Sequence, residues 1–108
     1  MQPEKERSSE DSILSYYKKL IRLRKTYPIV AQGDYHAYGA DHPQVYGYLR
    51  QFEGQQLLVL TNFYDKDTRI TIPEGFIEAD ILIDNYSDTV LHQNLELKPY
   101  QAIALLKN

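Results

Sequence analysis

An all-β fold is predicted for this 108-residue chain: a two-sheet antiparallel Greek-key β-sandwich of about seven or eight strands, preceded by one N-terminal α-helix. Three observations predict it. Short runs rich in Val, Ile, Leu, Tyr and Thr recur from residue 34 to residue 106, each bounded by Gly, Pro, Asn or Asp. Some of these runs alternate cleanly, with Ile70 and Ile72 against Arg69 and Thr71, and with Leu95 and Leu97 flanking Glu96. Helical periodicity is confined to the first third of the chain.

Taken in order, residues 1–9 read as a polar tail, 10–28 as an amphipathic helix and 29–108 as the sandwich. Ser8 or Ser9 is placed to cap the helix, Glu10 and Asp11 complement the dipole of its first turn, and Pro28 stops it. Its apolar residues are Ile13, Leu14, Tyr16, Tyr17, Leu20, Ile21, Leu23 and Tyr27. At ~100° per residue they cover nearly half the circumference, wider than the stripe needed to sit on one sheet. Arg24 projects into that apolar arc, between Ile13 and Tyr17, and there calls for a carboxylate partner.

The strands are expected at 34–38, 45–50, 56–63, 68–72, 79–83, 94–97 and 101–106. Turn clusters at 39–43, 53–54, 64–67, 73–75 and 84–88 separate most of them. Residues 57–60, Leu-Leu-Val-Leu, are apolar on both sides, as a central strand between the opposing sheet and the helix would be. Pro99 opens the last strand, where a missing ladder donor is tolerated.

With 43% hydrophobic and 25% charged residues the chain falls in the soluble globular class, and its net charge of −3 argues against a nucleic-acid partner. The absence of cysteine removes disulfides, thiolate catalysis and thiolate metal sites, and fits a cytoplasmic protein. The N-terminus lacks an apolar signal core, and no run reaches the ~18 apolar residues of a membrane helix, so neither secretion nor a membrane partner is expected.

Paired carboxylates that could act as acid and base are Asp65 with Asp67, Asp84 with Asp88, and Glu74. All lie in predicted turns, where Asp bonds to nearby backbone, and are read as structural. His36, His42 and His92 show no ligand spacing, so no metal site, cofactor or catalytic residue is expected. Ten tyrosines and no tryptophan leave one binding pattern open. Tyr46 and Tyr48 share a strand face, whereas the odd spacing of Tyr35 and Tyr38 sends them to opposite sides, and such rings are candidates for weak oligosaccharide contact.

Several segments together carry a family resemblance: DSILSYYKKLIRLRK at 11–25, GDY at 33–35, VYGY at 45–48, LLVLTNF at 57–63, NY at 85–86 and LKPYQA at 97–102. In this order and spacing they resemble the C-terminal end of the oligo-1,6-glucosidase group. That group lies in the α-amylase superfamily of glycoside hydrolases and includes glucan 1,6-α-glucosidases and trehalose-6-phosphate hydrolases. The resemblance implies that residues 10–28 correspond to the last helix of a catalytic (β/α)8 barrel lying upstream of Met1, and that the barrel holds every catalytic carboxylate.

The function expected is therefore a non-catalytic domain of a retaining α-glucosidase, packing against the barrel of the same parent chain through Ile13, Tyr17, Leu20 and Arg24. The substrate is left open between α-1,6-linked oligosaccharides and trehalose 6-phosphate. The alternative is an independent carbohydrate-binding module using Tyr35, Tyr38, Tyr46 and Tyr48. In either case the broad apolar arc of the helix predicts self-association of the free chain.

Overall fold

The structure, a computed structural model, describes residues 3–39, 41–86 and 89–108, with the side chains of the N-terminal helix described from Ile13 onward. The chain opens with α1 (Pro3–Arg22), followed by 3-10 turns at Leu23–Lys25 and Pro28–Val30. Seven strands follow: β1 (Asp34–Tyr38), β2 (Val45–Phe52), β3 (Gln55–Asn62), β4 (Thr68–Thr71), β5 (Asp80–Asp84), β6 (Asn94–Leu97) and β7 (Ala102–Lys107). All seven predicted strands are present, and every pairing is antiparallel.

Five strands form one sheet in the order β1-β2-β3-β7-β5, and β4 pairs with β6 in a second. The first three make a meander, after which the chain changes sheet at each of the next four connections. Between the sheets lies one core, built from Val45, Leu58, Leu60, Ile70, Ile72, Phe76, Leu95, Leu97, Ile103 and Leu105. On the other side of the large sheet lies a second core, where Tyr16, Leu20, Ile29 and Val30 pack on Leu57, Val59, Ala102, Ala104 and Leu106. The molecule is thus three layers deep, helix on sheet on hairpin-sized sheet. That explains why 57–60 is apolar at consecutive positions: alternate side chains of β3 enter different cores.

Two glycines are required by this packing. A Cβ on Gly33, whose φ is +97°, would fall 2.2 Å from the Gln51 carbonyl oxygen as the chain enters β1. A Cβ on Gly47 would fall 2.8 Å from Leu60 Cδ2 and 2.9 Å from the Tyr38 carbonyl oxygen.

The helix boundaries differ from the sequence reading at both ends. It begins at Pro3, so residues 3–9, read as tail, are helical, and Ser8 and Ser9 lie inside it rather than capping it. Proline is at home in a first helical position, and the Glu, Lys and Arg that follow are good helix formers. At the other end α winding stops at Arg22, before Pro28 is reached. Proline turns Tyr27 out of the helical region (φ −124°, ψ 89°), and the preceding turn tightens, with the Thr26 N–H donating to the Leu23 carbonyl at 3.0 Å.

Arg24 sits on that 3-10 turn and is exposed. Projection at ~100° per residue does not apply to 3-10 winding, so Arg24 leaves the apolar arc and lies outside this chain's own core, where no buried partner from this chain is called for. Of the turn residues, Ala40, Ser87 and Asp88 lie outside the described set.

Candidate functional site

Helix α1 covers only part of the large sheet, and the uncovered part carries aromatic residues. The β2 register places Tyr46 opposite Thr61, Tyr48 opposite Val59 and Arg50 opposite Leu57, so these three residues of β2 share the helix-bearing face. Across β1, Tyr35 pairs with Arg50 and joins the same face. Tyr38 pairs with Gly47 and points the other way, donating its hydroxyl to the Thr71 carbonyl and packing against the core between the sheets. The structure therefore brings together three of the four tyrosine candidates and separates the fourth, as their odd spacing predicts.

The rings are packed against one another. Tyr35 stacks on Tyr48 with centroids 5.1 Å apart and planes 27° apart, while Tyr46 lies 6.2 Å from Tyr48 at 54°. The Arg50 guanidinium sits 5.4 Å from the Tyr35 ring and 5.9 Å from the Tyr48 ring, a paired cation–π contact. Its Nε is buried with no acceptor among the described residues. The Tyr35 and Tyr46 hydroxyls bond to each other, and the Tyr17 hydroxyl reaches Thr61 Oγ1 at 2.8 Å, joining the helix to the cluster. Tilted, mutually covered rings are a poor flat platform for sugar, because stacking needs an open face.

The helix supplies the rest of the surface. Of the four helix residues predicted at the barrel interface, Leu20 is 2% exposed and belongs to this chain's own core, Tyr17 is half-buried on the sheet, and Ile13 is half-buried. The open apolar residues are instead Leu14 and Ile21, seven positions apart and each 55% exposed. By helical geometry they lie on the flank beyond Tyr17, the residue whose hydroxyl links the helix to the sheet at Thr61. Past the end of β3, Phe63 and Tyr64 add two half-exposed rings. Sequence reasoning missed Phe63, Tyr64 and Arg50. Strand parity could have found two of them, since 61 and 63 share a parity with the helix-facing 57 and 59, and Arg50 shares one with Tyr46 and Tyr48.

The carboxylates are structural or exposed, and Asp84, expected in a turn, is instead the last residue of β5, paired with Ile103. Asp84 is half-buried and accepts from Gln101 Nε2 at 3.0 Å and from the Tyr86 N–H at 2.9 Å. Asp65, Asp67 and Glu74 are exposed, and Asp88 lies outside the described residues. His36 and His92 are exposed. His42 is structural: its Nδ1 accepts from the Gln44 and Val45 N–H groups at 3.1 and 3.3 Å, and its Nε2 lies 2.8 Å from the Arg69 carbonyl. Among the described residues no three His, Cys, Asp or Glu side chains gather as metal ligands. Nor is any helix long and apolar enough to cross a membrane.

Burial shifts the tyrosines. The Tyr48 pKa is pushed up to about 12 by burial, and burial raises those of Tyr16 and Tyr17 as well. A raised folded-state value means that the unfolded chain loses its protons first as pH climbs past the ordinary tyrosine value of about 10. Stability from these groups is therefore fully present below that pH and is lost as pH rises toward about 12. The urea midpoint is expected to fall between about pH 9 and about pH 11, and a Tyr48→Phe variant to fall less steeply. A midpoint that stays level, with all ten tyrosines ionising together by ultraviolet absorbance, would contradict this.

Comparison with known proteins gives consistent matches. The family described as the α-amylase SusG C-terminal domain matches residues 45–104. The chain is 35% identical over 98 residues to trehalose-6-phosphate hydrolase of Bacillus subtilis (strain 168), covering 87% of this chain and 18% of that protein. Against oligo-1,6-glucosidase of Bacillus cereus the identity is 37% over 98 residues, covering 88% and 18% respectively. The crystal structure of Bacillus licheniformis trehalose-6-phosphate hydrolase aligns with a TM-score of 0.73 at 39% identity, over 85% of this chain and 18% of that one. The chain thus spans roughly a fifth of the length of the curated relatives it matches.

Proposed function

We propose that this chain, which belongs to the α-amylase SusG C-terminal domain family, is the non-catalytic β-sandwich domain of a retaining α-glucosidase and stabilises that enzyme by packing against its catalytic barrel. In this proposal the parent is cytoplasmic and hydrolyses α-1,6-glucosidic links in short oligosaccharides. Residues 29–108 are the C-terminal domain, and the helix before them is the last helix of the barrel.

The observation that carries the proposal is the set of exposed apolar side chains on the helix-bearing side: Leu14 and Ile21 on the helix flank beyond Tyr17, Tyr35 and Tyr46 on the sheet, and Phe63 just past the end of β3. Large exposed apolar patches mark interaction surfaces, and the relatives' remaining four-fifths supplies an occupant. The barrel contacts we assign shift accordingly from Leu20 to its neighbours Leu14 and Ile21, with Ile13, Tyr17 and Arg24 at the margins. A barrel carboxylate or carbonyl would meet the unsatisfied Arg50. Without the barrel, the same surface is the one through which free chains would associate. The self-packed tyrosine cluster supports docking over a sugar module.

A test compares Leu14→Asp and Ile21→Asp in two settings. Both residues are exposed here, so the melting temperature of the 108-residue chain should hardly move. In the full-length parent each would bury a charge at the interface, lowering its melting temperature by about 4 °C or more. A parent as stable as wild type with both substitutions would sink the proposal.

A further inference from the structure

The surface has a recess as well as a face. Strand β1 stops at Tyr38, opposite Gly47, so Val45 and Tyr46 of β2 are paired with β3 on one side and have no β1 residue beside them on the other. The space left is a cleft of about 360 Å³ walled by the rings of Tyr46, Phe63 and Tyr64, with Ala37, Pro43 and Gln44 completing it. Each of the three rings is about half exposed.

The polar groups in reach decide what fits. Both nitrogens of His42 are already engaged by the backbone, and the Tyr46 hydroxyl is bonded to that of Tyr35. The backbone carbonyl of Gln44 accepts from the Phe63 N–H at 3.2 Å. The side-chain Nε2 of Gln44 is buried with no acceptor among the described residues. A sugar ring brings several hydroxyls that each need a partner on burial, and the cleft wall offers few. A bulky apolar side chain needs only the aromatic wall, and one adjacent backbone carbonyl would satisfy the amide after rotation about a soft terminal torsion.

We infer that this cleft is the anchor pocket of the interface, taking one bulky apolar or aromatic side chain from the catalytic barrel, with a neighbouring carbonyl accepting from Gln44 Nε2. The inference rests on the docking reading above and adds to it the chemistry of the contact. Interfaces concentrate their energy in such filled, water-free pockets, and Tyr46 makes this one continuous with the tyrosine cluster.

Ala37→Trp tests it by filling the cleft from an exposed position. The 108-residue chain should keep its melting temperature, whereas the parent's thermal-inactivation half-life should shorten about tenfold as the anchor is displaced. Should the tryptophan disturb the free chain, Tyr64→Ala, which removes one wall without overpacking, decides by the same comparison. If Leu14→Asp weakens the parent while neither cleft variant does, the anchor pocket is refuted and docking stands. If none of them weakens it, both fall. Titration with p-cresol, a free side-chain mimic, should shift the backbone amides of Gln44, Tyr46, Phe63 and Tyr64, and shifts there from isomaltose instead would overturn the assignment.

Discussion

Asn62→Ala is expected to destabilise the domain by about 3 kcal/mol or more, although it changes one residue at the end of a strand. Asn62 is fully buried and ties three segments together. Its Nδ2 donates to the Lys66 carbonyl at 2.8 Å and to the Lys98 carbonyl at 3.1 Å, while its Oδ1 accepts from the Tyr64 N–H at 3.1 Å. Alanine would strand the Lys66 carbonyl and the Tyr64 N–H, each costing about 1–3 kcal/mol if left unpaired away from water, and would take from the Lys98 carbonyl one of its two bonds, the other coming from the Gln101 N–H at 3.0 Å. Asn62→Asp retains the acceptor but loses both donated bonds and adds a charge, so it should be no milder. Asp65→Ala, exposed in the same turn, should shift stability by less than about 0.5 kcal/mol. Urea unfolding of the three variants checks this, and an Asn62→Ala midpoint equal to wild type would refute it. Because the Asn62–Tyr64 bond shapes the chain that presents Phe63 and Tyr64, the loss should reach the docking surface too.

Asn62 belongs to a polar clamp around the LKPYQA segment. Buried Gln101 accepts from the Lys98 N–H at 2.8 Å and donates to Asp84 and to Thr89 Oγ1, at 3.0 and 2.8 Å. Asn85 donates to the Tyr100 carbonyl at 2.8 Å and accepts from the Ala102 N–H at 2.9 Å. The Tyr86 hydroxyl donates to the Pro99 carbonyl at 2.7 Å. These bonds hold a turn in which Tyr100 adopts a positive φ of 55°, a conformation that needs outside support in a residue with a Cβ. The segments NF, NY and LKPYQA, scattered in sequence, are therefore one three-dimensional unit. That unit was invisible to periodicity, because its members sit at strand ends and meet only through the fold.

What periodicity could see, it saw well. Seven strands were legible because turns rich in Gly, Pro, Asn and Asp separate runs whose two-residue period survives in Ile70/Ile72 and Leu95/Leu97, all buried on one side. The doubly buried strand was legible from 57–60 for the same reason in reverse. The helix was legible as a helix and misread at its ends. Its width was also read correctly, but which part of the arc the sheet would take depends on the crossing of helix and sheet, and a one-dimensional projection lacks that. Tyr16 and Leu20 went to the sheet, while Leu14 and Ile21 were left open. Arg24 left the arc because the winding changed beneath it. For the tyrosines, parity sorted Tyr35 from Tyr38 without a structure. Arg50, which turns the cluster from an open platform into a packed stack, could not be weighed from spacing alone.

A chain cut to begin at Gly33 is expected not to fold, and this is the larger effect of the two. The sequence reading divides the molecule at residue 29, with the helix counted as part of another domain, yet the second core is built across that boundary. Tyr16 and Leu20 are 1% and 2% exposed, and Ile29 and Val30 complete the layer that covers Leu57, Val59, Ala102, Ala104 and Leu106. Removing four large buried side chains, at roughly 2–5 kcal/mol each by comparison with large-to-small core substitutions, exceeds the ~5–15 kcal/mol stability of an ordinary domain or consumes most of it. The cut would also expose the central strands β3 and β7 on their most apolar face, an invitation to aggregate. Restoring residues 10–32 should recover the fold, because that segment carries both the helix turns that touch the sheet and the Pro28–Val30 turn that seals its end. Circular dichroism with amide exchange on the two chains decides the matter: a dispersed, protected spectrum from the chain starting at Gly33 would mean that the sandwich stands alone. The expected collapse would make the helix part of the sandwich's own core, and under the docking proposal its adjoining flank, with Leu14 and Ile21, is left for the barrel. If, as proposed, that helix is also the last helix of a barrel, the sandwich cannot swing free of the barrel, which is how so small a domain would stabilise a parent about five times its length.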